Sequence, residues 1–169
     1  MRRLFLLTLL VCGLAVPAAA PAAPGDGTLS VRDGDGRVHL LDLRGALVGR
    51  IDHGVLEVQV SKAADCDELA VWGAEDERLR SRRTEFGTET ICVFSGKRAM
   101  RFRLTGSLVS VLVRGKDIDL SVVGKGGLMI RGAGNADGAY SVNGSAYASL
   151  PEDSSWELLG TTAPARLVP

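Results

Sequence analysis

Two aspartates, Asp117 and Asp119, flank Ile118 in an alternating stretch, a spacing that places both carboxylates on one face of a strand. Paired carboxylates are the minimum set for glycoside hydrolysis, one as acid and one as base or nucleophile, about 5–10 Å apart. A solvated strand face gives the same spacing with no chemistry, and no second motif singles the pair out. Asp33 and Asp35 form another pair in the run Asp33-Gly34-Asp35-Gly36, where both residue types favour a bend. Arg37 stands at the fifth position of that run, where a calcium-binding EF-hand loop needs a ligand, so no metal site is assigned.

Histidine chemistry is confined to His39 and His53. His39 falls within an alternating run and His53 precedes a turn glycine. With no Gly-x-Ser-x-Gly elbow in the chain, a Ser-His-Asp triad has no support. Lys125 sits among glycines without the spacing of a phosphate-binding loop. No catalytic residue and no cofactor is therefore assigned.

Basic residues cluster twice. Arg78, Arg80, Arg82 and Arg83 are interleaved with Glu75, Asp76, Glu77 and Glu85, which predicts a small net field. Lys97, Arg98, Arg101 and Arg103 form the second cluster, and Arg101 and Arg103 alternate with Met100, Phe102 and Leu104. That polar strip suits an anionic envelope polymer. Trp72, Trp156, Tyr140 and Tyr147 are the candidates for stacking on sugar rings, although a β-protein with few aromatics usually spends them in its core. The candidate ligand-contacting residues are thus Arg101, Arg103, Trp72, Asp117 and Asp119.

Of three cysteines, Cys12 lies in an apolar leader and follows Val11, not the small residue a lipid-attachment site needs. Cys66 and Cys92 remain. With no Cys-x-x-Cys motif and no histidine nearby in sequence, they predict a disulfide formed in an oxidising compartment. Closing that loop is worth roughly 3–4 kcal/mol on the chain-entropy account.

The elements carrying these residues read as strands. Runs such as Val38 to Arg44, Val55 to Val60, Met100 to Leu104, Val109 to Val113 and Ile118 to Val122 alternate with period two, and glycines punctuate them at short intervals. The expected fold is all-β: an antiparallel sandwich or barrel of about ten short strands, with a short β-solenoid as the alternative. Only Glu68 to Glu85 has the pattern for a helix, weakened by Gly73. The run Gly36 to Gly45 echoes Gly106 to Gly115, and Gly54 onward echoes Gly126 onward. A duplication would give two similar halves packed face to face, with the disulfide pinning the segment between them.

Arg2 and Arg3, an apolar run from Leu4 to Val16, and small residues and prolines to Pro24 make a secretory signal peptide over residues 1–22. The run is too short to span a bilayer. Residues 23–160 are then one all-β domain and 161–169 a flexible tail, with no membrane-spanning segment after signal removal. Without the leader, 18 basic side chains stand against 20 acidic ones, a balance that argues against a nucleic-acid partner. The charge is uneven along the chain: 9 basic and 14 acidic over 23–96, then 9 and 6 over 97–169.

The stretches Phe94 to Gly106, Gly115 to Gly124 and Gly138 to Gly144 resemble small secreted all-β proteins of high-GC bacteria that carry no known function. The resemblance covers roughly residues 29–150 and implies an exported β-fold, with no activity or cofactor attached. The expectation is an exported, disulfide-stapled, non-catalytic domain with a binding or structural role at the cell envelope or outside the cell. Its partner would be an envelope polymer or another exported protein. The alternatives are a carbohydrate-acting hydrolase with paired carboxylates and a subunit that self-associates through strand edges.

Overall fold

Alternating side chains make the strands of this protein, and glycine decides where they bend. The computed structural model describes residues 23–60, 63–85, 87–134 and 137–160; the expected leader (1–22) and tail (161–169) lie outside them. The strands are β1 (Gly27–Ile51), β2 (His53–Val60), β3 (Ala70–Trp72), β4 (Asp76–Thr84), β5 (Gly87–Gly96), β6 (Met100–Gly132), β7 (Ala139–Val142), β8 (Ala148–Ser149) and β9 (Ser155–Leu159), with a 3-10 turn at Ala63–Glu68. All of their pairings are antiparallel, which excludes the parallel solenoid.

β1 and β6, at 25 and 33 residues, are too long to run straight. The pairing registers divide β1 into limbs β1a (27–34), β1b (36–43) and β1c (45–51), and β6 into β6a (100–106), β6b (109–115), β6c (117–124) and β6d (126–132). Two layers follow. The first has the order β8-β7-β1a-β6c-β1c-β6a-β3; the second has β9-β6d-β1b-β6b-β2-β5-β4. One long hairpin, β1 with β2 as one arm and β6 as the other, is wound around a common core. The inner orders β1a-β6c-β1c-β6a and β1b-β6b-β2-β5 are those of a jelly roll.

The corners explain the winding. Gly27, Gly36, Gly45 and Gly54 recur every nine residues on one arm, and Gly106, Gly115 and Gly124 on the other. They meet in the registers Gly36↔Gly115, Gly45↔Gly106, Gly45↔Gly124 and Gly54↔Gly115. A β-carbon on Gly45 would collide with the Val123 carbonyl oxygen and lie 2.7 Å from Gly124 Cα. One on Gly54 would collide with the Arg114 carbonyl oxygen. Only glycine lets the two arms cross this closely while both turn from one layer to the other.

The echoing runs 36–45 and 106–115 occupy matching places, one on each arm, and pair with each other. They are intertwined within one sandwich and do not form separate halves packed face to face. Between the arms lies the insert carrying β3, β4 and β5, fastened by the Cys66–Cys92 disulfide with Cα atoms 5.7 Å apart. No α-helix forms over 68–85. The 3-10 turn ends at Glu68, Gly73 turns the chain at φ +83°, and β4 pairs with β5 along its whole length. Cross-strand pairing overrides whatever helical preference the local pattern carried.

Alternation sends Leu29, Val31, Val38, Leu40, Leu47 and Ile51 of β1 inward to meet Phe102, Val111, Val113, Leu120 and Ile130 of β6 in one continuous core. The complementary residues, including Ser30, Arg32, Val48, Arg50, Arg101 and Arg103, face outward. That division positions the candidate site.

Candidate functional site

A groove of about 740 Å³ runs across the outer surface of the first layer. Its floor is a lattice of cross-strand neighbours. One row runs Ser30, Ser121, Val48, Arg103; the next includes Asp119, Arg50, Arg101 and Trp72, with Arg32 on β1a beyond Asp119. Directly opposed side chains lie about 5 Å apart at Cβ, and alternate residues along a strand about 7 Å apart. Four guanidinium groups therefore share one surface.

Their pairing is uneven. Arg50 makes an ion pair with Asp52 at 2.5 Å. The Arg32 guanidinium lies over the Tyr147 ring, 4.2 Å from its centroid, and the Tyr147 hydroxyl donates to Ser30 Oγ at 2.8 Å. Arg101 and Arg103 make no ion pair among the described residues. Asp119 accepts the Asp33 backbone N–H at 3.2 Å. Trp72, opposite Arg101 in register, is 57% exposed and forms the rim at β3. An exposed tryptophan beside free guanidinium groups offers stacking to a ring and bidentate hydrogen bonds to a carboxylate, sulfate or phosphate.

Four of the five candidate residues thus come together: Arg101, Arg103, Trp72 and Asp119. Asp117 does not join them. It occupies the bend between β6b and β6c at φ +48°, its N–H donates to Asp35 Oδ1 at 3.0 Å, and it does not line the groove. The bend breaks the alternation that would have put both carboxylates on one face. Asp119 is the one carboxylate lining the groove among the described residues. Arg32, Arg50, Ser30 and Ser121 were not singled out from sequence; their outward alternation with Val31, Gly49 and Leu120 is the local signal that marks them.

The remaining candidates separate. Trp156 lies over Gly127 on the opposite layer. The Tyr140 hydroxyl reaches Glu157 at 3.3 Å, where it ties β7 of one layer to β9 of the other. His39 is half-buried on the outer face of the second layer, near Ser110 and Glu57. No triad forms there: Glu57 is held by Arg114 at 2.8 Å, and the Ser110 hydroxyl accepts the Asp42 N–H. Among the described residues no three His, Cys, Asp or Glu side chains converge as a metal site, and no helix is long and apolar enough to cross a membrane.

His39 has a measurable consequence. Burial, then the nearby Arg37 guanidinium, hold its imidazole below the ordinary 6.5, with Glu57 pulling weakly the other way. The fold favours the neutral ring, so its contribution to stability is complete above the unfolded value and is lost as pH falls through the folded one. The urea midpoint should fall between pH 7.5 and pH 5, and His39→Gln should flatten part of that fall. Identical profiles for the two proteins would show that His39 titrates alike folded and unfolded.

The strand edges bear on self-association. β3 and β8 have three and two residues. β4, the long edge, is exposed along most of its length and carries Asp76, Arg78, Arg80 and Arg82 on one face and Glu77 and Arg83 on the other. Short and charged edges discourage pairing with another chain.

No family model, curated protein or solved structure matches this chain.

Proposed function

We propose that this is an exported, non-catalytic binding module whose first layer takes an extended anionic glycan of the cell envelope. The observation that carries the reading is the pairing of exposed Trp72 with Arg101 and Arg103, two guanidinium groups with no ion-pair partner among the described residues, in one groove of about 740 Å³. A sugar ring would stack on Trp72, and acidic substituents on successive residues would meet Arg101, Arg103 and Arg50. Ser30, Ser121 and Asp119 would accept or donate hydrogen bonds to ring hydroxyls. The buried disulfide supports a life outside the cytoplasm. The hydrolase alternative needs a second carboxylate facing Asp119 across the groove, and Asp117 does not supply it.

The test is binding of polygalacturonate by isothermal titration calorimetry, with neutral dextran as the control. Trp72→Ala should weaken binding at the groove about ten-fold and Arg101→Gln with Arg103→Gln about a hundred-fold, as expected for losing one stacking contact and two charge-assisted contacts. Asp119→Asn should leave the polymer uncleaved, as the parent does. Equal affinity of all variants would remove the groove from consideration. Release of reducing ends that vanishes in Asp119→Asn would make the protein a hydrolase.

A further inference from the structure

The insert strand β4 changes how the first arginine cluster must be understood. On a helix, Arg78, Arg80 and Arg82 would mix with their acidic neighbours. On a strand they sort. Arg78, Arg80 and Arg82 stand opposite Val93, Ile91 and Glu89 on the outer face of the second layer, while Glu77, Leu79 and Ser81 take the other side.

Across the same face runs an arginine ladder. Arg131 opposes Arg37, and Arg37 opposes Arg114, on three adjacent strands. All three are exposed. Like charges placed directly opposite one another are unfavourable in a sheet, and here the repulsion extends over three strands. Counter-charge is incomplete. Glu57 engages Arg114, Glu89 engages Arg82 and Asp76 engages Arg78. Arg37, Arg80 and Arg131 make no ion pair among the described residues. A depression of about 270 Å³ lies between Arg37 and Arg82, with His39, Glu57, Gln59 and Ser110 in its wall. Burial first, and the Arg37 guanidinium second, hold the His39 imidazole below its ordinary value, with Glu57 opposing them.

We propose that the outer face of the second layer is a second, independent binding surface for an anionic polysaccharide, so that one module holds two chains and cross-links them. The two basic faces lie on opposite sides of the sandwich, so one straight chain cannot occupy both. The carboxylates that balance the composition sit largely at the bends, among them Asp33, Asp35, Asp42, Asp52 and Asp117, which leaves the two faces positive on a near-neutral protein. An extended polymer with repeated anionic groups fits a ladder whose charges recur at the strand spacing of about 5 Å, whereas a small anion would use only one rung. The surface itself stands without the groove; the cross-linking step rests on the groove reading.

The test uses the oxidised protein with polygalacturonate (carboxylated) and dextran sulfate (sulfated), neutral dextran as blank, and double-stranded DNA as the competing class. Binding is read by calorimetry, and bridging by the light scattering of polymer solutions as protein is added. Arg37→Gln with Arg80→Gln removes two unpaired charges of the second face, and Arg101→Gln with Arg103→Gln removes those of the groove. Far-UV circular dichroism checks that both fold. In the parent, scattering should rise several-fold and the stoichiometry should show two polymer sites per protein. The second-face variant should keep one site and lose the rise in scattering. The groove variant should also keep one site, that of the second face, while affinity at the groove falls about a hundred-fold.

If the groove variant abolishes all binding, the second face binds nothing and the proposal fails. Scattering and stoichiometry unchanged in the second-face variant would overturn it equally. If the groove variant behaves as the parent while the second-face variant loses its site, the second surface stands and the groove reading falls. Tighter binding of DNA than of either polysaccharide at equal salt would reject the polysaccharide assignment.

Discussion

Gly45→Ala should destabilise the folded domain by about 3 kcal/mol or more, while Gly96→Ala should change its stability by less than about 0.5 kcal/mol. The two glycines look alike in sequence, each in a β-rich stretch, but they differ in what lies opposite. At Gly45 a β-carbon would meet the Val123 carbonyl oxygen and Gly124 Cα, and both belong to backbone that cannot rotate away. At Gly96 the nearest atoms are 3.6 Å off, an ordinary contact. Gly124 is the reciprocal case, since its β-carbon would meet the Arg44 carbonyl oxygen and Gly45 Cα. Either substitution forces the same crossing apart, so the pair Gly45→Ala with Gly124→Ala should cost clearly less than the sum of the singles. Urea unfolding monitored by circular dichroism gives all four values. Full additivity, or a mild Gly45 effect, would mean that the corner opens without loss of the sandwich.

The same corner shows what could and could not be read from the residues. Alternation was legible wherever a limb is straight: Met100, Phe102 and Leu104 are buried while Arg101 and Arg103 face out, as their order requires. The cysteine pairing was legible too, because Cys66 and Cys92 have neither a Cys-x-x-Cys motif nor a histidine near them in sequence, which leaves a disulfide. The topology was not. A glycine that ends a strand in a hairpin and a glycine that lets a continuous strand fold over a partner relieve the same steric conflict, and differ only in what crosses there. The nine-residue recurrence of Gly27, Gly36, Gly45 and Gly54 was the available clue, and it resembles the punctuation of a solenoid. The groove was therefore half visible. Arg101 and Arg103 are two residues apart and could be seen together, whereas Arg32 and Arg50 reach the same surface only after β1 has made a full turn around the core. Local charge counting failed at β4 for the complementary reason: the segment balances in sequence, but a strand separates the neighbours that a count adds together.

Replacing Cys66 and Cys92 together by alanine should lower stability by about 3 kcal/mol and loosen the two binding faces unequally. The disulfide spans 26 residues, for which the loop-closure model gives about 3.5 kcal/mol through the unfolded chain. Both cysteines are buried, at 4% and 1% exposure, so alanine avoids stranding a hydroxyl that serine would leave without a partner. The bridge ties the 3-10 turn to β5, the strand that pairs with both β2 and β4. β3, by contrast, is held by three residues in register with β6a and reaches the rest of the chain through the 3-10 turn on one side and Gly73 on the other. Without the bridge, backbone amides over 63–72 should exchange faster by more than the global loss of stability explains, while those of β1b and β6b should follow the global value. Polymer affinity should then fall in the manner of Trp72→Ala, because the tryptophan rim moves while Arg101 and Arg103 remain on a core strand. An unchanged urea midpoint would mean that the pairing of β4 with β5 fixes the insert unaided. A fall in stability with exchange at 63–72 no faster than elsewhere would place the role of the bridge in the unfolded chain alone.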